Sequence, residues 1–207
     1  MNAPKPTVFI VDDDEPVRSA LRLLMKSVGY ATATFDSAQE FLVTYANQQP
    51  GCLVLDVRMP GMSGMQLQQE LNRRGATIPV VFITGHGDVP MAVEAMQSGA
   101  FDFLQKPFED RELLDRVVKA LAADAIMRAQ QIEADNIRKL LATLTPRERE
   151  VLGLMVAGKL NKIMAAQLNL SQRTVEVHRS RVMEKMHARS LAQLVRMMLA
   201  VEGVPNK

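Results

Sequence analysis

The sequence predicts an α/β domain built on a parallel five-stranded sheet, followed by a smaller all-helical domain. Three observations predict it. Short apolar, β-rich runs alternate with helical patterns through the first half of the chain, the arrangement of a parallel sheet covered on both faces. The runs at 7–11, 52–55 and 79–83 are nearly continuous apolar, as strands buried on both sides are. Beyond residue 144 no strand pattern remains, and the charge changes sign: residues 1–121 hold 11 Lys/Arg against 15 Asp/Glu, whereas 122–207 hold 14 against 8. An acidic front and a basic back point to two domains with different partners.

Taken in order, strands are expected at 7–11 (TVFIV), 31–35 (ATATF), 52–55 (CLVL), 79–83 (PVVFI) and 101–104 (FDFL). Helices are expected between them, near 15–28, 37–46, 64–73 and 89–98, with Asp36-Ser37 as an N-cap signal for the second. From 110 to 142 the pattern is helical and free of Pro and Gly. Its first part closes the front domain, and its remainder reads as a helical linker, with a coiled coil as the alternative. Thr145-Pro146-Arg147-Glu148 is a helix start with a Thr cap, Pro at the first position and an acid at the third, and Gly158 ends that helix. Two short helices near 161–168 and 172–186 flank Asn169-Leu170-Ser171, and a last helix covers about 190–200. Two helices joined by a tight turn inside a small basic domain suggest helix-turn-helix. The expected divisions are 1–120, a linker over 121–143, and 144–207.

Composition excludes several classes. No apolar run approaches the roughly 18 residues of a membrane span, and the N-terminus turns acidic too soon for a signal peptide. A single cysteine, Cys52, leaves no internal disulfide and suits a reducing cytoplasm. Three unclustered histidines offer no zinc site, and His86 is expected in a loop near the strand ends.

Those strand ends carry the chemistry. In open parallel sheets, functional groups gather at the carboxyl edge. Here the first strand leads to Asp12, Asp13 and Asp14, the third to Asp56, the fourth to Thr84 and the fifth to Lys106. Each alone is an ordinary turn or surface residue; all four at one edge are not. Two carboxylates about 4 Å apart repel by roughly 4 kcal/mol at an effective dielectric near 20, so the edge calls for a shared proton or a hard cation. Mg2+ suits oxygen ligands and bridges carboxylates to phosphate, and a carboxylate can serve as nucleophile toward phosphoryl groups.

The motifs VDDDEPVR, LVLDVRMPGMSG, VVFITGHGD and FLQKPF make residues 7–120 resemble a response-regulator receiver domain, and TGHGDVPMAVEAMQSGAFDF resembles the FixJ-type branch of that family. The resemblance implies a flavodoxin-like sheet of order 2-1-3-4-5. It implies Asp56 as phosphoacceptor and a Mg2+ site with Asp13 as direct ligand, Asp12 assisting, and Asp56 and the Arg58 backbone carbonyl completing it. Thr84 and Lys106 would bind the phosphoryl group, Phe103 would occupy the aromatic switch position, and Lys106-Pro107 would be cis.

The stretches LTPREREVL, NKIMAAQLNLSQRTVEVHRSRVMEKM and RSLAQLVRM make residues 145–198 resemble the LuxR/GerE-type helix-turn-helix family. The recognition helix would begin near Gln172 and enter the major groove. On it, 172, 173, 176, 179, 180 and 183 fall on one side, while Val175, Val177, Val182 and Met186 supply packing. Lys162, Arg173, Arg179, Arg181 and Lys185 are expected near phosphates, Glu176, Val177 and Ser180 as base readers, and Thr174 and His178 near the backbone. Ile163 stands where the family carries a polar or acidic residue, an exposed aliphatic group suited to contact with the receiver domain or a partner.

The whole reads as a two-component transcription factor and not an enzyme. A sensor histidine kinase would phosphorylate Asp56, and the protein would then dimerise, bind double-stranded promoter DNA and recruit RNA polymerase as an activator. Two other readings stay open: a DNA-binding module with a vestigial receiver, and a phosphoaspartate phosphatase with a cap domain.

Overall fold

Strand β1 (Thr7–Val11) is followed by α1 (Glu15–Ser27), β2 (Ala31–Phe35), α2 (Ala38–Thr44), β3 (Gly51–Asp56), α3 (Gly64–Arg73), β4 (Val80–Thr84), α4 (Val89–Gln97) and β5 (Asp102–Gln105). The computed structural model describes residues 5–46, 49–85 and 89–202. The strands form one parallel sheet of order β2-β1-β3-β4-β5, as expected.

Alternation along the strands explains the two faces. Phe9, Val11, Leu53, Leu55 and Phe82 point to one side and pack with Phe41, Leu67, Leu71 and Ala95 of α2, α3 and α4. Val8, Ile10, Val54, Val81 and Ile83 point to the other and pack with Leu21, Met25, Leu113 and Val117. Burying each such side chain contributes about 1.5–3 kcal/mol, so a one-residue slip of a strand would exchange both faces at once. Cys52 lies in the second cluster, and burial, with the nearby Asp124, pushes its thiol up to about 12.

Helix α5 (Asp110–Ala142) runs unbroken for 33 residues. The stretch expected as a helical linker is its continuation, and the chain divides into two units inside it, between Met127 and Arg128. In the first unit, buried Asp124 of α5 accepts the Gly51 amide at 2.9 Å, at the opposite end of β3 from Asp56.

The second unit contains α6 (Pro146–Val156), α7 (Asn161–Leu168), α8 (Gln172–Lys185) and α9 (Leu191–Glu202). Ile137 of α5 joins Val151, Met155, Met164, Val175, Val182, Met186 and Leu194 in its core. Thr145 and Glu148 form the expected capping box of α6. Asn169, in the left-handed region at φ 53°, ends α7, and Ser171 caps α8 by accepting the Thr174 amide at 3.0 Å. Among the described residues no helix is long and apolar enough to cross a membrane.

Candidate functional site

At the carboxyl edge of the sheet, β1 delivers Asp12, β3 delivers Asp56, β4 delivers Thr84 and β5 delivers Lys106. Asp12, Asp56 and Thr84 are buried at 1%, 6% and 1% exposure, unusual for two acids and a hydroxyl. Gly64 makes the seat close-fitting: a Cβ there would lie 2.2 Å from the Asp56 carbonyl oxygen.

Lys106 resolves the repulsion between the acids. Its Nζ donates to Asp12 Oδ2 at 2.7 Å and to Asp56 Oδ1 at 3.0 Å. The remaining carboxylate oxygens are also held, Asp12 Oδ1 by the Asp14 amide at 2.9 Å and Asp56 Oδ2 by the Arg58 amide at 2.7 Å. The Lys106 amide donates to the Thr84 carbonyl at 2.7 Å, fixing β5 beside β4, and the Lys106–Pro107 peptide is cis. Arg18, a residue the sequence reading passed over, donates from its guanidinium to the Asp12 carbonyl at 2.6 Å.

Two buried carboxylates face one ammonium, so the pocket is short of positive charge. Burial raises the Asp56 carboxyl above its ordinary value, and repulsion from Asp12 adds to this against the pull of Lys106. For Lys106, burial works downward, but the hydrogen bonds to Asp12 and Asp56 outweigh it and raise the ammonium. Two carboxylates against one ammonium leave one excess negative charge.

That excess, with an all-oxygen donor set, fits a hard divalent cation. The expected ligands are not yet gathered. Asp13 is exposed, and among the described residues no three His, Cys, Asp or Glu side chains form a metal-holding group. Asp12 rather than Asp13 is the acid turned into the pocket. Phe103 is partly buried and packs against the cluster that contains its cross-strand neighbour Phe82. His86 lies outside the described residues.

In the second unit, Arg173, Glu176, Val177 and Ser180 of α8 are all exposed at i, i+3, i+4 and i+7 spacing, a single outward stripe. Arg181 and, on α7, Lys162 are exposed as well; Thr174, His178 and Arg179 are partly buried. Asn161 Nδ2 donates to Glu176 Oε1 at 3.4 Å, a long contact between the two helices. Three placements differ from expectation. Val177 is 46% exposed and adds nothing to the core, whereas Met183, expected on the outward side, packs against it. Lys185 Nζ is engaged by buried Glu148 at 2.7 Å. Contacts between residues so far apart in the chain leave no local signal; Arg147, which donates to the Leu168 carbonyl at the end of α7, is another.

The chain matches two families: the "Response regulator receiver domain" over residues 8–118 and "Bacterial regulatory proteins, luxR family" over 142–198. It is 50% identical over 193 residues to Nodulation protein W of Bradyrhizobium diazoefficiens, covering 93% of this chain and 85% of that one. It is 49% identical over 194 residues to the transcriptional regulatory protein FixJ of Rhizobium meliloti, covering 94% and 95%. Among solved structures, the response regulator StyR aligns with a TM-score of 0.82 at 48% identity, covering 94% of this chain and 98% of that one.

Proposed function

This chain belongs to the response regulators, with a receiver domain joined to a LuxR-family DNA-binding domain, and from that premise we propose that phosphorylation of Asp56 controls its binding to DNA. Its relatives regulate transcription rather than turn over a substrate. The observation that carries the proposal is Lys106 held between two buried acids at the carboxyl edge of the sheet.

Asp56 is the nucleophile. One of its oxygens attacks the phosphorus of a phosphohistidine on the sensor kinase; the new O–P bond forms as the P–N bond breaks, its electron pair leaving with the imidazole nitrogen. Lys106 neutralises a phosphoryl oxygen as a point charge, and the Thr84 hydroxyl donates to another. The Arg58 amide orients the Asp56 carboxylate before attack. Asp12, Asp13, Asp56 and the Arg58 carbonyl would hold Mg2+, which supplies charge neutralisation for the phosphoryl group.

The product adds about −1.5 to −2 charges at pH 7. Lys106 is drawn from Asp12 toward the phosphoryl oxygens, and Thr84 and Phe103 shift with β4 and β5. The phosphoryl group acts by favouring one pre-existing state over another. That state is a homodimer, which presents two α8 helices to paired half-sites in cytoplasmic promoter DNA and activates transcription by recruiting RNA polymerase. Arg173, Arg179, Arg181 and Lys162 approach phosphates, Glu176, Val177 and Ser180 read bases, and Thr174 and His178 lie near the backbone.

The test is sedimentation of the full chain with Mg2+, with and without acetyl phosphate, beside Asp56→Asn. A monomer-to-dimer shift confined to the wild type is expected. No response in either protein would bring forward the constitutive DNA-binding reading or a switch acting only inside the monomer.

A further inference from the structure

Helix α5 carries an apolar row on a side that neither core uses. Val118 is 49% exposed and Ile132 63%, and Ala122, Ala125 and Ala129 between them are exposed as well. The steps along the row are 4, 3, 4 and 3 residues, the alternation of a and d positions in a heptad. One further step of 4 reaches Asn136, also exposed. At about 100° of rotation per residue, the row stays within about 40° of one line. Leu113, Val117 and Ala120 of the first core and Ile137 of the second stand about 100° or more away from it. No charged residue between 118 and 136 lies on the row.

Exposed alanines alone suit any helix surface; three further features indicate what covers these. Ile126, 59% exposed, widens the row on one flank with a large apolar group. Asn136 takes an a position, where a single Asn fixes register and strand number in a parallel pair. There it meets Asn136 of a second copy, amide to amide, whereas an antiparallel pair would set it against Val118. Arg128 flanks the row at g and Glu133 at e, five residues on, the two positions that face each other between parallel helices. A row in which each member is matched by itself calls for a second α5. Its length limits its strength: 118–136 is under three heptads, short of the three to four that sustain a coiled coil alone. It therefore closes on chains already brought together, where effective concentration is high.

We propose that the row from Val118 to Asn136 is a parallel, in-register coiled-coil seam between the α5 helices of two copies of this chain, closed in the phosphorylated dimer. The proposal rests on the dimer reading above and adds a surface along which the copies meet. Arg128 of each copy then faces Glu133 of the other, and the alanines let the two helices approach closely.

The test is disulfide formation between full-length chains, run beside sedimentation. Ala125→Cys and Ala129→Cys lie on the row; Gln130→Cys is exposed but off it. Native Cys52 is fully buried and gives no background. Each variant is oxidised with copper phenanthroline in Mg2+, with and without acetyl phosphate. Ala125→Cys and Ala129→Cys are each expected to cross-link to themselves at least tenfold faster than Gln130→Cys, and at least tenfold faster with acetyl phosphate than without. Equal rates at all three positions in a protein that sediments as a dimer overturn the seam and leave the dimer reading standing. Cross-links that form only when the Ala125→Cys and Ala129→Cys chains are mixed overturn the parallel register. Rates indifferent to acetyl phosphate overturn closure by phosphorylation, and a wild type that stays monomeric without cross-links in any variant removes the dimer reading and the seam with it. Ile132→Glu gives a second readout without a disulfide. Its side chain is 63% exposed, so the thermal midpoint is expected to hold while the acetyl-phosphate-driven dimer weakens at least tenfold; an unchanged dimer constant overturns the seam.

Discussion

Lys185 Nζ donates a 2.7 Å hydrogen bond to Glu148 Oε2 and so joins the end of α8 to the first turn of α6. The same carboxylate accepts the Thr145 amide at 2.9 Å, and the ammonium also reaches the Thr143 carbonyl at 3.3 Å. Lys185 thus acts inward, fixing where α8 stands, while Arg173 on the same helix is exposed.

The two residues should therefore separate in a salt titration of DNA binding. Arg173→Ala is expected to lessen the slope of log affinity against log salt by about 0.9, the loss of one phosphate contact. Lys185→Met is expected to leave the slope unchanged and to destabilise the second unit by about 1–3 kcal/mol, because buried Glu148 loses its partner. An equal loss of slope in both variants would put Lys185 on the DNA.

Glu148 sets a pH dependence. The hydrogen bond from Lys185, followed by that from the Thr145 amide, holds its carboxyl down at about 2, from an ordinary value of 4.5. A folded value below the unfolded one stabilises the fold above 4.5, and that contribution is lost as pH falls from there toward 2. The melting midpoint of wild type should exceed that of Glu148→Gln near neutrality, and the gap should narrow through this acidic window. A gap independent of pH would contradict the pairing.

The pocket around Asp56 should be unstable for the sake of its chemistry. Asp56→Asn removes the excess negative charge beside Asp12, and with it the cost of burying the Asp56 carboxylate, and is expected to raise the urea midpoint. Mg2+ should raise the urea midpoint of wild type and leave Asp56→Asn and Asp13→Ala nearly unchanged. A Mg2+ response that survives Asp13→Ala would exclude the turning-in of Asp13 as a ligand.

Two glycines should respond in opposite directions. Gly64→Ala sets a Cβ 2.2 Å from the Asp56 carbonyl oxygen, a backbone clash expected to cost about 1–3 kcal/mol and to slow labelling by acetyl phosphate. Gly153, inside α6, would meet nothing within 4 Å, so Gly153→Ala is expected to stabilise by about 0.5–1 kcal/mol. Chemical denaturation of both variants beside wild type decides this.

Most of the fold was legible in the sequence. The expected strands at 52–55, 79–83 and 101–104 differ by about one residue from Gly51–Asp56, Val80–Thr84 and Asp102–Gln105, because continuous apolar runs identify buried strands without marking their last hydrogen bond. Helix α5 was harder. Its polar later turns looked like a linker, yet Ile137, Leu140 and Leu141 belong to the second core, and a helix serving two cores in succession has no single apolar face to read. Val177 and Met183 exchanged roles for a related reason: a helical wheel sets angles, while the packed neighbours decide where the core begins.

What the sequence determined alone was the set of elements, their order and the residues each strand carries to its carboxyl end, because periodicity, capping and turn chemistry act within a few residues. The tertiary structure decided which charges meet. Lys106 and Asp12 are 94 residues apart, Asp124 and Gly51 are 73, and Lys185 and Glu148 are 37. No local pattern records such pairs, since each depends on where packing brings two distant backbones, and on that packing rests the choice of Asp12 over Asp13 as the acid that shares its lysine with Asp56.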